Sequence, residues 1–129
     1  MSKNNEIAGL KAALEKRYAE LREEIRQELL QSDEEHFIDL AGQVRDLQDE
    51  SLADLLVDLG LEIIDMHLTE VREVEAALAR ISSGQYGDCM DCGGEIESDR
   101  LQAYPTARRC WDCQSKYEKS HAVPNHSTL

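Results

Sequence analysis

The chain has 129 residues and a formal net charge of −13 at pH 7, and only 5% of its residues are aromatic. This length suits one domain or a small domain with an extended element, and the excess of acid argues against binding to a nucleic-acid backbone. No apolar run could span a bilayer, and no apolar signal segment follows the first residues. We therefore expect a cytoplasmic protein without a membrane partner, whose cysteines bind a metal rather than form disulfides.

The composition changes near residue 84. Residues 1–83 contain no proline, no cysteine and most of the acidic side chains, whereas both prolines and all four cysteines follow. We predict a helical region over 1–83, a compact, turn-rich module with a C-terminal helix over 84–121, and a flexible tail over 122–129.

The first predicted helix begins near residue 4. Its apolar residues recur at spacings of three and four, which gives one stripe along a helix: Ile7, Leu10, Leu14, Tyr18, Leu21 and Ile25. Ser32 is followed three residues later by Glu35, as in a capping box. The helix is therefore expected to break or restart near residue 32.

The second predicted helix covers about residues 51–82. Leucines, isoleucines and valines keep helical spacing along it, although the stripe drifts near Leu61, and Gly84 is a suitable C-terminal stop. Two amphipathic helices joined by a short polar segment predict an antiparallel hairpin within a monomer. The periodicity also fits a helical bundle made by dimerisation.

The joint between the two helices is strongly acidic. From Asp46 to Asp65 the chain carries acids and no base. Taken alone, this run indicates a solvated loop and helix start, because Asp and Glu suit the positive end of a helix.

The cysteines form two Cys-x-x-Cys pairs, Cys89/Cys92 and Cys110/Cys113. Each pair can present two thiolates to one metal, and four thiolates close the shell of a structural zinc. A redox pair would need a thioredoxin-like unit, which the sequence does not indicate. GATA-type DNA-binding fingers share the spacing but add a basic tail, which this chain lacks, so sequence-specific DNA binding is not expected.

The residues around the cysteines resemble the DksA/TraR family of zinc-finger transcription factors. The match is strongest from Gly84 to Cys113 and includes the run Arg100-Leu101-Gln102-Ala103-Tyr104-Pro105-Thr106-Ala107 that leads to Cys110. The resemblance implies a mostly α fold, in which a long antiparallel coiled-coil hairpin is attached to a small four-cysteine zinc-finger module with a short C-terminal helix.

The resemblance also implies a function in transcription. Members bind RNA polymerase, insert the coiled coil into the secondary channel and act through an acidic tip of pattern Asp-x-x-Asp-x-Ala. Asp46 and Asp49 match this pattern, and Ser51 replaces the alanine. A serine at this position can cap the following helix, which an alanine cannot.

A second departure concerns the alarmone ppGpp of the stringent response. Where responsive members carry basic residues that help to bind it, our alignment places Glu73, Tyr104 and Gln114. None of these is cationic, so we expect weak or absent synergy with ppGpp.

Arg100, Arg108 and Arg109 are candidates for a polymerase-facing surface, although solvated or intramolecular roles fit them equally well. Trp111 and Tyr86 are expected to pack inside the finger. The alternative function is a zinc-stabilised coiled-coil adaptor for another protein. An enzyme is not expected, because no nucleophile–base pair, open metal site or phosphate loop is recognisable.

Overall fold

The computed structural model describes residues 2–31, 35–48, 50–59 and 65–121. Within them the chain forms six helices: α1 (Ser2–Leu30), α2 (Glu35–Asp46), α3 (Leu52–Leu59), α4 (Asp65–Ser83), α5 (Ser98–Ala103) and α6 (Trp111–Ser120). An isolated antiparallel bridge joins Asp88 to Glu95. The mostly α fold is confirmed. The expected tail at 122–129 lies outside the described residues.

Helices α1 and α4 form a long antiparallel pair. The predicted stripe of α1 is buried along most of its length and faces the apolar residues of α4: Leu10, Leu14, Leu21, Ile25 and Leu29 on α1, and Val71, Val74 and Ala77 on α4. Polar contacts cross the same seam: Arg17 forms an ion pair with Glu70 (2.6 Å), and Nε2 of His67 lies 2.5 Å from a carboxylate oxygen of Glu28. The later contact on α1 meets the earlier residue on α4, so the two helices run in opposite directions.

Helix α2 folds back along α1. Its apolar residues Leu40, Ala41 and Val44 are buried, and the two helices pack side by side. Beyond its end, the backbone N–H of Leu52 donates to the Tyr18 hydroxyl at 3.0 Å. In one straight helix, Tyr18 would lie about 42 Å from residue 46. The break expected near residue 32 is therefore confirmed, and it reverses the chain direction.

Helix α3 folds back along α4 in the same way. Leu52, Ala53 and Leu56 are buried, and α3 packs against α4. The expected single helix over 51–82 is therefore wrong, because its two halves lie side by side. The physical reason is a contact that only the reversal allows: the backbone N–H of Leu52 donates to the Glu75 carboxylate of α4 at 2.8 Å, across 23 positions of the chain. Residues 60–64 lie outside the described residues.

The cysteine module lies where α4 ends and α1 begins. Gly84 (φ +78°) ends α4 as predicted, with its N–H on the Ile81 carbonyl (3.2 Å) and the N–H of Gln85 on the Arg80 carbonyl (2.8 Å). These two bonds form a Schellman motif, which requires a left-handed residue that glycine supplies without strain. Near the start of α1, the Glu6 carboxylate accepts hydrogen bonds from the side chains of Ser98 and Gln102. Both long helices therefore support the module.

Candidate metal centre and acidic loop

The four cysteine sulfurs form one cluster. The Sγ atoms of Cys89, Cys92, Cys110 and Cys113 all lie within 4.8 Å of one another, and those of Cys92 and Cys110 are 4.0 Å apart. Zinc bound tetrahedrally at about 2.3 Å requires sulfurs about 3.8 Å apart. The sulfur cluster therefore has the size and the donor chemistry of a closed zinc site.

Backbone turns shape the first cysteine pair. Gly93 adopts φ +77°, and its N–H donates to the Cys89 carbonyl at 3.0 Å. The N–H of Gly94 then points at the Cys92 sulfur (3.4 Å), where a side chain on Gly94 would also touch that sulfur. This local geometry explains Gly93, which adopts a left-handed conformation, while Gly94 contributes its backbone amide to a sulfur.

The second pair lies at the start of α6. Cys110 is the N-cap residue and Cys113 lies in the first turn, so the start of this helix presents both sulfurs to the cluster. Two bonds fasten this turn to the module: Met90 N–H donates to the Arg108 carbonyl (2.9 Å), and Trp111 N–H donates to the Glu97 carboxylate (3.1 Å). The two cysteine pairs are thus held together by backbone contacts as well as by their sulfurs.

The thiols influence one another strongly. Burial raises the pKa of the Cys89 thiol, but hydrogen bonds from the backbone amides of Cys92, Cys110 and Asp91 outweigh it and lower the pKa to about 6. The pKa of Cys113 is raised to about 12, chiefly by its hydrogen bond with Cys110 and by burial. The cluster therefore favours a first negative charge and resists the last one, which a divalent cation would balance.

Two of the three candidate arginines are engaged within the module. Arg109 is buried, with Nε on the Asp91 carboxylate (2.8 Å) and its guanidinium 3.8 Å from the centre of the Tyr117 ring. Arg100 donates to the Arg109 carbonyl at 2.9 Å. Arg108 is exposed, and its side chain makes no hydrogen bond or ion pair with the residues that the structure describes.

The two aromatic residues expected inside the finger differ. Tyr86 is only 5% exposed and donates to the Pro105 carbonyl (2.8 Å), which confirms a packing role. The same expectation for Trp111 is wrong, since its side chain is 65% exposed and lies on the outside of α6. The Arg100 guanidinium lies 5.1 Å from the centre of the Trp111 ring and 5.6 Å from the centre of the Tyr104 ring. The sequence offered no signal for this position.

A cavity of about 340 Å³ lies between α4, α5 and α6. It brings together the three residues aligned with the ppGpp-binding positions and the three arginines: Glu73, Tyr104 and Gln114, with Arg100, Arg108 and Arg109. Because Arg100 and Arg109 are held by internal contacts, Arg108 is the arginine of this set that remains open to a ligand.

The acidic loop comprises residues 46–51, and its end at Ser51 lies beside Glu75, near the middle of α4. Asp46 ends α2 and is exposed; the hydrogen bond from Arg45 (2.9 Å) lowers the pKa of its carboxyl. Asp49 lies outside the described residues. Ser51 caps α3 as its residue type predicts, accepting the N–H of Asp54 at 3.0 Å. Its hydroxyl also donates to Glu75 at 2.7 Å, a contact that no motif in the sequence indicated.

Comparison with known proteins agrees with this geometry. Residues 84–119 match the model of the prokaryotic dksA/traR C4-type zinc finger. A protein of Aquifex aeolicus is 32% identical over 109 residues, which is 84% of this chain and 69% of the relative. The RNA polymerase-binding transcription factor DksA of Escherichia coli K12 is 28% identical, over 88% of this chain and 72% of its own length.

Two solved structures share the fold. DksA2 of Pseudomonas aeruginosa has a TM-score of 0.63 at 23% identity and covers 92% of this chain and 88% of its own. The DnaK suppressor protein of Agrobacterium tumefaciens C58 has a TM-score of 0.57 at 29% identity, covering 85% and 92%.

The finger match and the clustered sulfurs together assign one structural zinc to Cys89, Cys92, Cys110 and Cys113. Within the described ranges, every helix is too short or too polar to cross a membrane. The matches extend over both the helical region and the finger. The chain belongs to the DksA/TraR family.

Proposed function

We propose that the protein is a non-enzymatic, cytoplasmic transcription factor that binds RNA polymerase as a monomer and acts through the secondary channel. The main support is the four-cysteine finger, which the chain shares with relatives named RNA polymerase-binding transcription factor DksA. Four thiolates fill the coordination shell of zinc, so the metal stabilises structure and offers no position to a substrate.

In this proposal the acidic loop is the active part. Asp46 and Asp49 change contacts between basic or metal-bearing parts of the polymerase and the nucleic acid, and so favour some promoter complexes over others. Asp46 is exposed, and its lowered pKa keeps it ionised at neutral pH. The absence of any base between Asp46 and Asp65 suits a positively lined channel.

The zinc module is the docking part. Arg100 and Arg109 stabilise it from within, so Arg108 is the arginine of the three that we assign to the polymerase surface. Trp111 and Tyr104 are exposed and line the same cavity as Arg108, and aromatic side chains with arginine are typical of energetically important contacts.

Competition binding and promoter assays test the proposal together. Zinc-loaded protein should bind polymerase saturably, and a transcript-cleavage factor of the Gre type should displace it. Asp46→Asn or Asp49→Asn should keep this binding but weaken the effect on initiation about tenfold, equivalent to roughly 1.4 kcal/mol.

Asp39→Asn is the matched control, because Asp39 is an exposed acid of α2 outside the loop. Equal effects of the Asp39 and Asp46 variants would argue for general charge. Failure to bind polymerase at micromolar concentrations, with zinc and helix content intact, would favour the adaptor function instead.

We further propose that ppGpp adds little to the effect. Glu73 places a negative charge in the cavity, and one open arginine is a poor match for several phosphates. Transcription with and without ppGpp should differ less than about twofold, a free-energy difference of about 0.4 kcal/mol. Strong synergy that disappears in Arg108→Ala, but persists in Lys16→Ala, which removes an exposed cation of α1, would show that Arg108 replaces the family's cations.

A further inference from the structure

One carboxylate joins three parts of the helical region. Oε2 of Glu75 on α4 accepts hydrogen bonds from the Tyr18 hydroxyl of α1 (2.5 Å) and from the backbone N–H groups of Leu52 (2.8 Å) and Ala53 (3.3 Å) at the start of α3. Oε1 accepts a bond from the Ser51 hydroxyl at 2.7 Å. The half-buried Glu75 thus ties the acidic loop to both long helices.

These contacts depend on the folded-back arrangement. The N–H groups of Leu52 and Ala53 belong to the first turn of α3, which has no partners of its own, and a carboxylate there is favourable. Burial and the bond to Glu75 raise the pKa of Tyr18 to about 12, which keeps its hydroxyl a donor at neutral pH. The donors of Ser51, Leu52 and Ala53 could not reach Glu75 if α2 extended α1 in a straight line, because the loop would lie tens of ångströms away. The Leu52 N–H would also lose the Tyr18 hydroxyl, whereas the bond between Tyr18 and Glu75 would persist, since both belong to the long helices.

The apolar contacts are less selective. Leu40 and Val44 of α2, with Leu52 and Leu56 of α3, form short stripes that cover the α1–α4 pair. If α2 and α3 both swung away from the α1–α4 pair, their apolar stripes could pack on each other, as those of α1 and α4 already do. Apolar burial is therefore available in two arrangements, whereas the bonds from Ser51, Leu52 and Ala53 to Glu75 exist in only one.

We propose that Glu75, with Tyr18 and Ser51, is a latch that holds the acidic loop against the α1–α4 pair, and that its release lets α2 and α3 extend into a longer hairpin. This inference rests on the proposed function for its purpose, since an extended hairpin would carry Asp46 away from the body of the protein and toward the polymerase channel. A partner that binds the extended form better shifts the population toward it.

The test measures one distance in the whole zinc-loaded protein without polymerase. Fluorescent non-canonical amino acids replace the exposed Lys11 on α1 and Gln48 in the loop, so the zinc cysteines stay unlabelled. The two labels are close in the folded-back form and about 55 Å apart in a straight hairpin. Energy transfer between them reports the ratio of the two forms.

Glu75→Gln should raise the ratio of extended to folded-back molecules roughly tenfold, the factor expected for one lost charge-assisted hydrogen bond. Glu70→Gln is the matched control, because Glu70 also joins α4 to α1 through Arg17 but does not touch the loop. Tyr18→Phe removes the hydroxyl that accepts the Leu52 N–H and should shift the ratio in the same direction if Glu75→Gln fails to fold.

Unchanged energy transfer in Glu75→Gln and Tyr18→Phe, with helix and zinc content intact, would overturn the latch. An equal change in Glu70→Gln would also overturn it, because general loosening of the pair would then explain the effect. Polymerase binding is measured separately: variants that extend without binding polymerase would support the latch and contradict the proposed function.

Discussion

At the scale of single residues, contacts with neighbouring side chains change the pKa of individual groups. Tyr18 is the clearest case, since burial and Glu75 raise the pKa of its phenol to about 12. A raised pKa means that the protonated form is favoured in the folded protein. Its contribution to stability is therefore complete below the ordinary value near 10 and disappears as the pH rises through 12.

An absorbance titration of the phenolate band checks this expectation. The chain has four tyrosines, and the difference between wild type and Tyr18→Phe isolates Tyr18. That difference should titrate about two pH units above a free tyrosine. The Arg22 guanidinium, 5.8 Å from the ring centre, opposes the shift without cancelling it. A difference spectrum that titrates at the ordinary value would contradict the buried contact with Glu75.

At the scale of elements, glycines show how position decides the effect of one substitution. Gly84 holds φ +78° at the end of α4, whereas Gly9 lies within α1 with open space around its Cα. Gly84→Ala should lower the free energy of unfolding by about 1–2 kcal/mol, because alanine is strained in the left-handed conformation. Gly9→Ala should raise it by up to about 1 kcal/mol, because alanine favours helices. Chemical denaturation of both variants measures the contrast, and changes of the same sign would contradict it.

Elements also show where sequence reasoning succeeds. The apolar stripe predicted α1, the capping pattern predicted the break after it, and the glycine predicted the end of α4. The reversal of α2 and α3 was not predictable, because their stripes fit an extended partner as well as a folded-back one. Glu75 carries no local signal either, since an ordinary helical glutamate becomes a cap only through tertiary contacts. The four ligands were predictable because their spacing along the chain defines the site.

For the molecule as a whole, zinc and the apolar seam stabilise different parts. Zinc binding contributes on the order of 10 kcal/mol to folding of a small module. The helical region has its own buried stripe on α1 and α4. Removal of zinc by a chelator should therefore unfold the module and leave most of the helix signal in far-UV circular dichroism. The circular dichroism spectrum should recover when zinc is added back. Complete loss of the helix signal on chelation would show instead that the two parts fold only together.

Trp111 is the single tryptophan of the chain, and it lies on the surface of the module. The protein therefore contains its own optical reporter, whose emission is that of a solvent-facing indole. A partner that covers this face would shift the emission to shorter wavelength, while a rearrangement confined to α2 and α3 would leave it unchanged. Fluorescence of the unlabelled protein can thus distinguish binding of a partner to the module from movement of α2 and α3.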